Sequence, residues 1–272
     1  MKAGYAPKSM GEMFENMNNM RRLSGDTPPE FLLTHPLSSS RISDAFNAAE
    51  NISEIGAKED SLEYSLIKAR LEIYFEQIPS NSVRIYKSRV SESPSDSNLY
   101  GLALAYNKIN NFDEGIKIID ELLARHPKNL LLNTSKVEIL TRAKRFKNAL
   151  DLSNVFLEIS PQNYPLSITK AKLLIEMGRY NESEELIRDQ LLTKNSNPEL
   201  WLLLSEIQRD SKNIVGYHQS RAEYFLLLGE NDQALNQLEF AINLTKNNFQ
   251  ASERIMTKII TIKKTIEKSR GL

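Results

Sequence analysis

Three observations predict an all-α chain in which helical hairpins stack into a superhelix behind a short helical N-terminal segment. Glycine is scarce, at 10 in 272 residues, about half the usual share, and that depletion favours helix. Apolar residues recur at helical spacing: Leu99, Leu102, Ala103 and Tyr106 form an i, i+3, i+4, i+7 set on one face. Landmark residues also return at a fixed interval. Pro127 and Pro161, Gly115 and Ala149, and Phe112 and Phe146 each stand 34 residues apart.

Residues 1–58 lie outside this period. "SMGEMFENMNNMRRL" starts a helix on a Ser9/Glu12 capping box. "TPPE" offers a second start, with Thr27 as N-cap, Pro28 next and Glu30 third. "RISDAFNAAENI" places Ile42, Ala45, Phe46 and Ala49 on one face of a third helix.

Residues 59–272 read as the repeat array. A 34-residue interval is the period of the tetratricopeptide repeat, a helix–turn–helix unit. Its small residues let two helices approach closely, and its proline ends the second helix. A degenerate first unit spans 60–94, and "DSNLYGLALAYNKINNFDEGIKIIDELLARHPKN" fills 96–129. The unit at 130–163 matches in its second helix, through Ala149, Phe156 and Pro161. The unit at 164–197 carries Ala171, Leu174, Gly178 and Tyr180, then about three extra residues before Pro198. Asn197 and Pro198 open a further helix as N-cap and first residue. The cleanest repeat follows, with Ala222, Phe225, Gly229, Ala234, Leu238 and Ala241 at the expected sites. A last helix over 248–269 caps the array, and its basic end suits a helix C-terminus.

Composition narrows the function. Lys+Arg and Asp+Glu are equal at 35 each, so no general charge draws the chain to nucleic acid or an anionic membrane. The absence of cysteine excludes disulfides, thiolate zinc sites and cysteine nucleophiles. No apolar run reaches the roughly 18 residues of a membrane span. The first ten residues contain no apolar signal-peptide core, so the chain as it stands is expected to remain where it is made. Nucleophile-elbow, Walker and dinucleotide-binding motifs are missing. The acidic pair Glu184/Glu185 is expected on an exposed helix surface.

One stretch differs from the charged, Leu/Ile-rich helices around it. "FLLTHPLSSSRI" sets a His before a Pro, then three serines and an Arg. With "AGYAPKSM" before it and "SDAFNAAE" after it, this stretch resembles the end of the catalytic domain of a zinc metallopeptidase family. That family is the BepA-like periplasmic proteases, which join the domain to a tetratricopeptide tail. Thr34, His35, Pro36, Arg41 and Ile42 match the family's loop beside the zinc, and the likeness extends over the whole chain. It implies that 1–58 is the C-terminal remnant of a catalytic domain. It also implies a zinc cofactor in the full-length family, periplasmic location as part of a longer secreted parent, and quality control of outer-membrane proteins.

The family's zinc is held by the two His of H-E-x-x-H and a carboxylate on a later helix. This chain has three His, at 35, 126 and 218, and no two are four residues apart. The chain alone is therefore expected to be inactive, with His35 serving either as an extra zinc ligand in a longer protein or as a turn residue bonding local backbone. Arg41 is expected to serve a helix end or a carboxylate. His126 is expected to be solvated, and His218 and Trp201 to pack in the core.

The groove-lining positions of such an array are the second, fifth, ninth, twelfth and thirteenth of each first helix. They read Tyr100, Leu104, Asn107 and Lys108; then Thr134, Glu138, Thr141 and Arg142; then Ile168, Lys172 and Glu176. This mixture suits a peptide or protein segment and is not a uniform basic clamp. The function expected is a protein-binding module that docks substrate or outer-membrane assembly partners; the alternative is a stand-alone adaptor unrelated to proteolysis. Because no helix presents a His pair, calorimetric titration of the chain with zinc should show only weak binding. One tight stoichiometric site within the monomer would overturn that expectation.

Overall fold

A computed structural model describes residues 5–23, 39–50, 52 and 60–269. Among them are fourteen helices and no strand. The chain divides into two compact units, Met1–Ser65 and Leu66–Leu272.

The first unit holds α1 (Ser9–Leu23) and α2 (Ser39–Glu50). They meet at Gly11, where a Cβ would fall 2.8 Å from the Phe46 ring, so only glycine allows this approach. Ala49 is buried beside the contact. Arg41 lies in the first turn of α2, with its guanidinium 5.6 Å from the Phe14 ring centre. The helix start expected at Thr27 and the loop residues Thr34, His35 and Pro36 lie outside the described residues.

The second unit takes in α3 (Leu62–Phe75) from Leu66 onward, then α4 (Pro79–Glu92), α5 (Asp96–Lys108), α6 (Phe112–Arg125), α7 (Leu130–Arg142), α8 (Phe146–Ile159), α9 (Tyr164–Glu176), α10 (Tyr180–Thr193), α11 (Pro198–Asp210), α12 (Ile214–Leu227), α13 (Asn231–Leu244) and α14 (Phe249–Ser269). Two kinds of turn alternate along it. Within a hairpin, the first helix ends on a residue of positive φ: Asn110, Lys144, Gly178 and Lys212, each 34 residues after the last. At Gly178 the amide bonds Ile175 O at 2.9 Å and the next amide bonds Leu174 O at 2.8 Å, a Schellman closure. Between hairpins, a polar side chain caps the next first helix: Ser95 caps α5, Asn129 caps α7, Asn163 caps α9 and Asn197 caps α11.

The regularity of these turns corrects one expectation. No residues are inserted before Pro198. The turn at Lys194–Asn197 repeats those at His126–Asn129 and Ser160–Asn163, and Pro198 is the first residue of α11. The period does break later. Gly229 closes α12 with the same Schellman pair only 17 residues after Lys212. Helix α12 therefore begins as the second helix of one hairpin and ends as the first helix of the next.

Each hairpin closes on small residues. A Cβ on Gly115 would lie 3.1 Å from the Ala103 carbonyl oxygen. At the matching site two repeats later, the Ser183 hydroxyl donates to the Ala171 carbonyl at 2.9 Å. Helix α12 shows both of its roles here. Gly216 faces Gln208 of α11, and Ala222 is buried in one core with Ala234 of α13. Tyr86 of α4 lies against Gly101 of α5. Burial, then a 2.8 Å hydrogen bond to Glu72, push its phenol above the ordinary range.

Several single residues depart from expectation. His126 is not simply solvated: its Nε2 lies 2.5 Å from Asp96, which also pairs with Arg125. Glu184 is half-buried and accepts from Arg188 and from the fully buried Gln208, whereas Glu185 is exposed. His218 stacks on Phe240 and is half-buried. Trp201, also half-buried, packs at the core edge and donates to Asn195 O.

Ala149, Ala222 and Ala234 are fully buried, as the small-residue positions require. Ala234→Leu should overpack the α12/α13 contact and cost about 1–3 kcal/mol. Chemical denaturation should register that loss, while Gln233→Leu on the exposed side of the same helix should stay near wild type.

Candidate protein-binding groove

The 34-residue period stacks equivalent residues of successive first helices into columns. The ninth-position column runs Arg70, Leu104, Glu138, Lys172 and Glu206. The thirteenth-position column runs Lys108, Arg142, Glu176 and Asp210. Between α5 and α11 these columns border a groove of about 960 Å³. Its apolar lining includes Phe112, Leu131, Tyr164, Ile168, Ile175 and Leu203.

Of the residues expected there, Asn107, Thr134, Glu138, Thr141, Arg142, Ile168, Lys172 and Glu176 line it. Not all are available to a ligand. The Thr134 and Thr141 hydroxyls donate to Leu130 O and Val137 O of their own helix, each at 2.7 Å. Arg142 donates to Asn107 O at 2.6 Å and Asn110 Oδ1 at 2.8 Å, closing the end of α5, and lies over Phe112.

Three expected residues lie beside or below the lining. Lys108 reaches Ile73 O at 2.7 Å and Glu76 O at 2.5 Å, so it serves the C-terminus of α3, where a cation is favoured. Leu104 is buried. Tyr100 is fully buried, and its hydroxyl lies 2.7 Å from Ser135 Oγ. Ser135 itself donates to Leu131 O, so Tyr100 supplies the proton of that contact.

Above Tyr100 sits the polar centre of the groove floor. Arg70 Nη2 donates to both Glu138 oxygens, at 2.6 and 2.8 Å, and Nη1 donates to Ser135 and Tyr100 at 3.2 and 3.3 Å. Arg70 thus passes over Leu104, its neighbour in the column, and ties α3 to α5 and α7. Burial disfavours the guanidinium charge, but the Glu138 carboxylate and the Tyr100 hydroxyl together outweigh it and raise the Arg70 pKa. Burial pushes the Tyr100 phenol upward, against the pull of Arg70 and Ser135.

Sequence reasoning missed Arg70, Glu199 and Glu206. All three obey the period: Arg70 and Glu206 stand at the ninth position and Glu199 at the second. Carrying the same register one repeat further in each direction finds them.

Models of the tetratricopeptide repeat match residues 100–164 and 140–207. The array is a tetratricopeptide superhelix. Over 257 residues the chain is 28% identical to a beta-barrel assembly-enhancing protease of Escherichia coli K12, covering 90% of this chain and 50% of that protein. A protein of the same name from Yersinia pestis is 24% identical over 99% of this chain and 56% of its own length. The chain spans about half the length of these relatives. A solved tetratricopeptide protein from Thermus thermophilus aligns over 74% of this chain and 100% of its own at 17% identity, with a TM-score of 0.45.

A zinc ion finds no fitting donor set among the described residues, which hold no cluster of three His, Asp or Glu. His126 is held by Asp96 and His218 by Gln237.

Glu138→Ala should leave Arg70 facing the groove without its carboxylate. Hydrogen bonds to a charged group contribute about 1.5–3 kcal/mol, and partial exposure of this pair reduces that. A loss of about 1–2 kcal/mol is expected. Arg70→Met combined with Glu138→Leu should cost less than Glu138→Ala alone, because no unpaired charge remains. Equilibrium denaturation of the variants decides between these outcomes.

Proposed function

We propose that the chain is the protein-docking part of a longer BepA-like zinc metallopeptidase. Its groove holds a segment of a substrate, or of a partner in outer-membrane protein assembly, and presents it to the zinc site in the periplasm. The groove carries this reading: its lining mixes apolar side chains with charges of both signs, which suits a protein segment and not a small metabolite. The relatives' name supports the link to β-barrel assembly.

The Met1–Ser65 unit supports the link to a larger domain. Helix α1 exposes Met10, Met13 and Met17, and the first two border, with Tyr5 and Ile52, an apolar hollow of about 470 Å³. Such a surface suits further protein packed against it. In this reading Thr34, His35, Pro36 and Arg41 form the edge loop of the zinc site, and the zinc ligands belong to the rest of the longer protein.

Photocrosslinking tests the docking role. Benzoylphenylalanine is placed at Ile168 in the groove or at Glu158, exposed on α8. Each variant is mixed with an outer-membrane β-barrel protein diluted from urea. The Ile168 variant should crosslink at least fivefold more than the Glu158 variant. Equal crosslinking from both positions would rule out the groove as the docking surface.

A further inference from the structure

The groove's charges are ordered. On the α7 side, Arg142 and Lys144 are exposed at the lining. The contacts of Arg142 are to neutral acceptors, a carbonyl and an amide, so its charge is not cancelled. Helix α9 contributes one exposed residue of each sign, Lys172 and Glu176, four residues apart, and neighbours at that spacing offset one another. Helix α11 contributes two exposed carboxylates, Glu199 and Glu206. The cation at the centre, Arg70, is neutralised by Glu138. The lining therefore runs from two cations, through a balanced and largely apolar middle at Tyr164, Ile168 and Ile175, to two anions.

We infer that the groove selects an extended peptide segment of opposite order: acidic residues at one end, an apolar centre, and basic residues at the other. This rests on the docking role proposed above and specifies its ligand. The acidic end lies over Arg142 and Lys144, the apolar centre over Ile168, and the basic end over Glu199 and Glu206. Packed helices lie about 8–10 Å apart, so α7 and α11 are separated by about 16–20 Å. An extended chain advances about 3.3 Å per residue, which places the two charged ends about five or six residues apart. A segment with like charges at both ends meets repulsion at one end whichever way it enters, and a segment of mixed ends can turn to satisfy both.

The full chain is titrated by fluorescence anisotropy with three labelled peptides that share one apolar centre five residues long. One carries Asp-Asp and Lys-Lys at its two ends, one carries Asp-Asp at both, and one carries Lys-Lys at both. The mixed peptide should bind at least tenfold tighter than either other at low salt. That preference should collapse in 0.5 M salt, where the screening length falls to about 4 Å. In Glu199→Lys/Glu206→Lys the preference should move to the peptide with Asp-Asp at both ends. Both positions are exposed and neither side chain makes a hydrogen bond among the described residues, so this variant should fold. In Arg142→Glu/Lys144→Glu the preference should move to the Lys-Lys peptide.

Equal affinity for the three peptides, with binding abolished by Ile168→Asp, would overturn the charge order and leave the docking role standing. No binding of any peptide, or binding indifferent to Ile168→Asp, would overturn both. A preference that fails to move in the Glu199→Lys/Glu206→Lys variant would overturn the charge order by itself.

Discussion

The whole array depends on how closely the two helices of each hairpin approach. A Cβ on residue 115 would stand 3.1 Å from the Ala103 carbonyl oxygen, tighter than ordinary van der Waals contact, and glycine relieves the approach. Two repeats later the same site is settled differently: Ser183 fills it and gives its hydroxyl proton to the Ala171 carbonyl. In the α12/α13 pair, the small side chains of Ala222 and Ala234 are buried in one core. Three chemistries meet one steric demand. Once it is met, the hairpins are equivalent in shape, their first helices stack, and residues 34 apart fall into line. The groove follows from that alignment, since no single helix could form it.

Equivalent positions in the stack share a place but not a task. At the thirteenth position Lys108 reaches back to α3 and Arg142 reaches back to α5; each places a cation where carbonyls lack partners. Glu176 holds the same position on α9 and cannot donate, so it stays exposed at the groove. The ninth position divides in the same way. Arg70 and Glu138 neutralise one another across Leu104, while Lys172 and Glu206 remain exposed. Structural duty therefore concentrates at the α3–α7 end and exposed charge toward α11.

Much of this was legible in the sequence because a period is a strong signal. The spacing of Pro127 and Pro161, and of Gly115 and Ala149, located the hairpins, and the buried alanines lie where the spacing puts them. The groove was legible as columns, but not in which members face a ligand. Tyr100 and Lys108 occupy lining positions by count, yet one lies under the Arg70–Glu138 pair and the other closes a neighbouring helix. Those outcomes depend on partners 30 to 35 residues away, which no local pattern reports. Pro198 misled for a related reason. A proline can end one helix or begin the next, and the choice rests on turn geometry shared with His126–Asn129 and Ser160–Asn163.

Helix α12 behaves like a stacking fault in a crystal. Contacts on either side of it are normal, yet the long-range registry slips by half a period, and the slip acts as a ruler. Because Gly229 closes α12 as a first helix, the columns that run through α5, α7, α9 and α11 find no continuation in the helix that strict repetition would have supplied. The lining of the groove stops at Glu206. A solenoid can in principle be lengthened without limit by adding repeats, but this one carries an internal terminus, set by where the chain changes phase and not by where it runs out of residues.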